Sequence, residues 1–201
     1  MKQILIILLS LFAMSATFAQ TVKETFDSNS LDWTECPKGY WGSTVIDKGV
    51  MTVTAKEHND KTQAMETHCY TPLNMKRPFK ITSKVTIGKL DEEDNQRVGL
   101  IFNYKDFGNY FAFMINEYNV IFTRVENNQL VGSIYQGIKW SKTRKAEQTW
   151  VIEYNGNDLI FYIDEIPLIK VKYMEMQYSG FGFYAEGKQK FIIEDVEFVQ
   201  N

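Results

Sequence analysis

Hydrophobic and polar residues alternate along most of this chain with a period of two. Between Phe79 and Ile87, the residues Phe79, Ile81, Val85 and Ile87 alternate with Lys80, Thr82, Lys84 and Thr86. Successive side chains of a strand point to opposite faces, so this pattern predicts one buried face and one wet face. The same reading predicts strands over 44–54 (broken at Asp47-Lys48-Gly49), 64–70, 97–104, 109–116, 119–125, 129–135, 148–154, 158–163, 166–171, 181–185 and 190–199. Short strands at intervals of about 8–12 residues mark an all-β sandwich or barrel. Asn155-Gly156, between two apolar runs, predicts a tight hairpin, and Asp164-Glu165 and Asn127-Asn128 are weaker signals of the same kind. No long helix is predicted; the best short candidate is one turn near Tyr173–Tyr178.

Parity then sorts the side chains. Leu100, Phe102, Phe111, Phe113, Ile115, Val120, Phe122, Trp150, Ile152, Leu159, Phe161, Ile163, Phe181 and Phe183 form the expected core set, and Trp33 joins them. The opposite parity holds Asn103, Tyr110, Met114, Thr123, Glu153, Tyr162 and Tyr184. A face turned to plain water carries lysine, glutamate and threonine, as 79–87 does. This one mixes tyrosine, amide and carboxylate. Loops or a partner covering it would explain that mixture, and so would a groove for sugars. Aromatic rings stack on the apolar faces of sugars while Asn, Glu and Arg hydrogen-bond the hydroxyls around them.

The first nineteen residues change the count. Lys2, the apolar run Ile4–Met14 and the small-residue ending at Ala19 read as a signal peptide. The run is short of the roughly 20 apolar residues of a membrane span. The residue directly after the cleavage point is Gln20 and not cysteine, so the chain is expected to be secreted or periplasmic in a bacterium, without a lipid anchor. Residues 20–201 are then expected to form a single domain. A net charge of −3 leaves no basic excess for phosphates and argues against nucleic acid as a partner.

Cys36 and Cys69 are the two cysteines, and in an exported protein they are a disulfide candidate. With His58 and His68 they match no standard zinc spacing, and no metal site or organic cofactor is expected. Asp91-Glu92-Glu93-Asp94 reads first as a solvated turn, and its oxygens make it the one candidate for Ca2+.

Three stretches carry a family likeness. "FDSNSLDWTECPKGYWGSTVIDKGVMTVTA", "RVGLIFNYKDFGNYFAFMIN" and "DLIFYIDEIPLIKV" with "SGFGFYAEGKQKFIIEDVEFV" resemble the opening, middle and closing strands of concanavalin A-like lectin and glucanase domains. The nearest resemblance is to laminin G-like and 3-keto-disaccharide hydrolase-like domains. It implies a two-sheet antiparallel jelly-roll sandwich with one concave sheet, and polysaccharide or oligosaccharide as the commonest ligand.

Catalytic signals are sparse. Laminarinase-like enzymes of this fold carry Glu-x-Asp-x-x-Glu on one strand, and no such run occurs here. Glu153 and Asp195 are the weak candidates for a general acid or base. No Gly-x-Ser-x-Gly elbow or Rossmann fingerprint is present. His68 lies in the N-terminal third, apart in sequence from the open-parity residues. The first expectation is therefore a non-catalytic glycan binder. Tyr110, Tyr162 and Tyr184 would stack, Asn103, Glu153 and Arg124 would hydrogen-bond, and Trp41 and Trp140 would close the rim. Arg124 shares the parity of Val120 and Phe122 and so also reads as the end of a core strand. The alternatives are a glycoside hydrolase of the same fold acting on a modified disaccharide, and a protein-interaction module.

Overall fold

The computed structural model describes residues 20–56, 64–90, 96–138 and 145–200. Its described residues form strands and connections, with no helix among them. The strands are β1 (Gln20–Glu24), β2 (Gly42–Asp47), β3 (Val50–Ala55), β4 (Ala64–Tyr70), β5 (Phe79–Ile87), β6 (Arg97–Asp106) and β7 (Asn109–Ile115), followed by β8 (Asn119–Glu126), β9 (Gln129–Gly137), β10 (Glu147–Tyr154), β11 (Asp158–Ile163), β12 (Ile166–Lys172), β13 (Gly180–Glu186) and β14 (Gln189–Gln200). Every predicted strand is present within a few residues. β1 is additional, and 173–179 is an irregular connection rather than a helical turn.

Tight turns explain the consecutive hairpins. Asn127 and Asn128 (φ 51° and 62°) join β8 to β9, and Asp164 and Glu165 (φ 49° and 67°) join β11 to β12. Positive φ at both central residues matches the twist of the flanking strands. Gly156 (φ 97°) sits in the β10–β11 connection as its Asn-Gly sequence predicts.

The strands assemble into two antiparallel sheets. One has eight strands in the order β12-β11-β10-β5-β14-β3-β2, with β1 also paired to β14. The other has six, in the order β4-β13-β6-β7-β8-β9. Their inner faces meet in one core, where Phe113 stacks on Phe161 at 5.4 Å between ring centroids across the two sheets. The expected core parity is found throughout, and Trp33 is buried between Phe26, Phe181 and Phe183. Burial of this many aromatic side chains is the main source of stability, at roughly 1.5–3 kcal/mol for each large side chain fully buried.

The segment before β2 closes one side of the sandwich. The Thr34 amide donates to the His68 carbonyl at 2.9 Å, and the Thr67 hydroxyl donates to the Thr34 carbonyl at 2.7 Å. Glu24, buried, accepts from the Phe26 and Leu31 amides and the Ser30 hydroxyl, which fixes the loop leading there. Cys36 and Cys69 are free thiols, which corrects the expected disulfide. Cys69 has the core parity of β4, and burial pushes its thiol pKa up, whereas Cys36 sits on the connection, bonded through its backbone to Thr44.

Candidate functional site

The six-stranded sheet turns an unusual face outward. Register places Glu66, His68 and Tyr70 of β4 beside Tyr184, Gly182 and Gly180 of β13, respectively. β6 then sets Gly99 beside Tyr184 and Ile101 beside Gly182. Beyond it lie Met114 and Ala112 of β7, then Ile121 and Thr123 of β8. Ile101, Tyr104, Ala112, Met114 and Ile121 form an apolar cluster separate from the core, with Tyr110 and Tyr184 packed against it. These five side chains take the outer side of the sheet yet are buried, and Tyr110 and Tyr184 beside them are partly exposed.

A bulge brings Tyr104 to this layer. β6 shifts register after Phe102, and Asn103 takes up the extra residue with φ 47°. Phe102 therefore faces the core while Tyr104, two residues on, faces outward. Plain alternation would have put both on one side. Asn103 uses its Oδ1 to accept from the Gln177 and Tyr178 amides, both at 2.8 Å, and so pins the 173–179 connection. Asn103, expected from the sequence to hydrogen-bond a ligand, is thus buried and engaged at that atom with the backbone of the connection.

Polar groups surround this layer in connected sets. Tyr104 donates to Glu66 Oε1 at 2.8 Å, and His68 Nδ1 lies 3.1 Å from Glu66 Oε2. The His68 ring packs on Tyr104 at 4.4 Å, and the Thr34 hydroxyl lies within 3.5 Å of His68. On the neighbouring strand Glu186, two residues from Tyr184 on the same face, lies 3.7 Å from Arg97. Burial, and then Glu66, push the Tyr104 phenol pKa up. Burial, then Glu186, do the same to Tyr184, and burial, Glu186 and Glu66 to Tyr110. Both carboxylates thus bear on Tyr110, which ties the two sets into one site. A neutral phenol there remains a hydrogen-bond donor.

Next to Tyr110 opens a cleft of about 290 Å³, lined by Asn103, Asn109, Val125, Glu175 and Tyr178 among others. Its 173–179 wall is held by Asn103 and by Tyr173, which stacks on Tyr154 at 4.1 Å. Lys105 stands over the Tyr178 ring.

Only part of the site expected from the sequence is brought together. Tyr110 and Tyr184 share the face. Glu153 and Tyr162 do not: β10 and β11 belong to the eight-stranded sheet, so these residues lie on the opposite outer surface. There Glu153 stands opposite Lys80, and burial and then that carboxylate push the Tyr162 phenol pKa up. Asp195 also lies on that sheet, 3.0 Å from Lys23 and 3.8 Å from Lys84, next to a bulge in β14. Arg124 has the core parity; its Nε is 2.8 Å from Glu126 and its Nη1 is 3.4 Å from Met174 Sδ, so it closes the sandwich edge. Trp41 is exposed beside Tyr40 at the start of β2, on the edge of the eight-stranded sheet. Trp140, His58 and the Asp91–Asp94 run lie outside the described residues.

Glu66, His68, Tyr104, Glu186 and Arg97 were not singled out as site residues. His68 is far in sequence from the open-parity residues, yet it lies directly opposite Gly182. Parity on β13 was legible, but the β4–β13 pairing joins residues too far apart in sequence to be read. Among the described residues no group of three or more His, Cys, Asp or Glu side chains could hold a metal ion, and no helix is long and apolar enough to cross a membrane.

No protein-family model and no curated protein matches the chain. Solved structures do. One comes from work on endo-acting O-glycanases of the human gut microbiota that initiate mucin breakdown, with TM-score 0.61 and 10% identity over 89% of this chain and 98% of that one. A Bacteroides ovatus mixed-linkage glucan GH16 protein, solved with its product, gives TM-score 0.61 and 12% identity over 88% and 99%. The carbohydrate recognition domain of Emp46p, in a metal-free form, gives 0.60 and 12% over 87% and 90%. The chain therefore has the concanavalin A-like jelly-roll fold, a scaffold on which function is decided by the site.

Proposed function

We propose that this protein is an exported glycan binder that holds a sugar chain on the outer face of its six-stranded sheet. The observation that carries the reading is the pair of partly exposed rings Tyr110 and Tyr184 over a buried apolar layer, ringed by Glu66, His68, Glu186 and Arg97 and continued by the cleft at Tyr110. Rings supply stacking area with little entropy to lose, and the surrounding carboxylates and bases supply directional hydrogen bonds to hydroxyls. The carbohydrate proteins that share the fold support the same reading. Export rests on the N-terminal Lys2 and apolar run.

A glycan array followed by calorimetric titration tests it. One glycan class should bind without turnover, and Tyr110→Ala should weaken binding at least tenfold while the circular dichroism spectrum holds. Silence on every glycan, or binding indifferent to Tyr110 and His68, overturns it.

One observation favours a second reading. Glu66 and Glu186 are two carboxylates on the same face, with Glu66 already bonded to a phenol and an imidazole. A glycoside hydrolase needs such a pair across the scissile bond. Product release abolished by both Glu66→Gln and Glu186→Gln would establish that reading; binding without products would end it.

A further inference from the structure

Asn103 holds a hydrogen-bonding group that the fold does not use. The residue is 7% exposed, and its Oδ1 accepts from the Gln177 and Tyr178 amides. Those two bonds fix which end of the side chain is oxygen. The other end, Nδ2, is then a donor, and it bonds no group among the described residues. It is not sealed in either: it keeps contact with accessible space, and Asn103 lines the cleft beside Tyr110. A donor held without a partner on a nearly buried residue costs free energy until something accepts from it.

The rest of the lining narrows what that acceptor is. The charged side chains on the cleft wall are Glu126 and Glu175. Their cations, Arg124 at 2.8 Å and Lys76 at 2.9 Å, are not part of the lining. A uronate or a sulfate entering the cleft would meet two carboxylates, so a neutral acceptor fits better. Phe111 and Val125 add apolar wall, and Tyr110 and Tyr178 add rings. A volume of about 290 Å³ is at the small end for ligand pockets and suits a single sugar unit.

We propose that this cleft is the subsite for an N-acetylated amino sugar, with Asn103 Nδ2 donating to the acetamido carbonyl. An acetamido group presents a carbonyl acceptor, an N–H donor and a methyl group within a few atoms. The cleft presents a complement to each. Asn103 donates to the carbonyl, a carboxylate of Glu126 or Glu175 accepts from the N–H, and Val125 and Phe111 cover the methyl. Tyr110 and Tyr178 offer faces for the sugar ring. A hexose with a hydroxyl in that place brings no methyl and a weaker acceptor. The inference rests on the glycan reading and adds the sugar class to it.

Titration of the full chain with matched oligosaccharides tests it. The probes end in N-acetylglucosamine or N-acetylgalactosamine, and their counterparts carry a hydroxyl or a free amine in place of the acetamido group. One acetamido glycan should bind about tenfold or more tighter than its hydroxyl counterpart. Asn103→Asp keeps an oxygen for the Gln177 and Tyr178 amides and exchanges only the donor for an acceptor. The preference should then invert, with the acetamido glycan weakened and the protonated amine glycan becoming the better ligand. In magnetic-resonance spectra of the unaltered chain, the Asn103 side-chain amide signal should move on adding the acetamido glycan and not the hydroxyl one, a readout that needs no variant to fold. Equal affinity for the acetamido and hydroxyl glycans overturns the inference, and so does a preference that survives Asn103→Asp in a folded chain. Both results leave the glycan reading standing, whereas silence on every probe and on the wider array overturns the two together.

Discussion

The two outer faces of this sandwich are made from the same alternation and come out differently. On the eight-stranded sheet, carboxylates stand beside lysines: Asp195 with Lys23 and Lys84, Glu153 opposite Lys80, Asp158 with Lys172 at 2.8 Å. On the six-stranded sheet, Glu66 is held by a phenol and an imidazole, and Glu186 stands near Arg97, beside a buried apolar layer. The lysines of these pairs are exposed, and ion pairs with a partner held in water contribute little. A part-buried carboxylate against rings costs desolvation, and only directed hydrogen bonds offset it. An arrangement that is costly to keep is the better mark of a site.

The strongest way to break this contrast is at Gly182. A Cβ there would collide with the Thr67 carbonyl oxygen and crowd His68. Gly182→Ala should cost about 3 kcal/mol in urea unfolding, and should disturb the buried layer while leaving the eight-stranded face unchanged. Next come the rings. Tyr110→Ala and His68→Ala should each lower glycan affinity about tenfold, near 1.4 kcal/mol by titration, while Tyr162→Ala on the opposite face should leave it unaltered.

Alkaline pH should sharpen the contrast further. Tyr104, Tyr110 and Tyr184 have raised folded-state pKa values, chiefly from burial. A phenol raised on folding keeps its proton longer when folded. Its contribution is therefore complete below the unfolded value near 10 and is lost as pH climbs from there through the raised value. Unfolding followed by tyrosinate absorbance should begin above about pH 10, and Tyr184→Phe should move the midpoint upward more than Tyr162→Phe does. The smallest effect is expected at Asp195→Asn, which should cost about 1 kcal/mol or less and shrink in salt. A larger loss in thermal unfolding would mean that the eight-stranded face also carries a built site.

The hairpins, the strands and the core were legible because they are local. Phe79 to Ile87 alternate in plain view, and paired asparagines announce the β8–β9 turn. The grouping of Tyr110 with Tyr184 was legible too, since both oppose the core parity. Parity tells which side of its own sheet a residue takes, however, and a sandwich has two outer sides. That is why Glu153 and Tyr162 were grouped with residues that lie across the core from them.

By itself, then, the sequence determined an all-β chain, its turns, and which side chains go inside, because a period of two and a few turn residues act over neighbouring positions. Tertiary structure alone decided which strands share a sheet, that a bulge at Asn103 turns Tyr104 outward, and that β4 lays Glu66 and His68 beside β13. Those outcomes depend on pairing between segments more than a hundred residues apart and on one extra residue in a ladder, and neither leaves a local trace in the pattern of hydrophobic and polar positions.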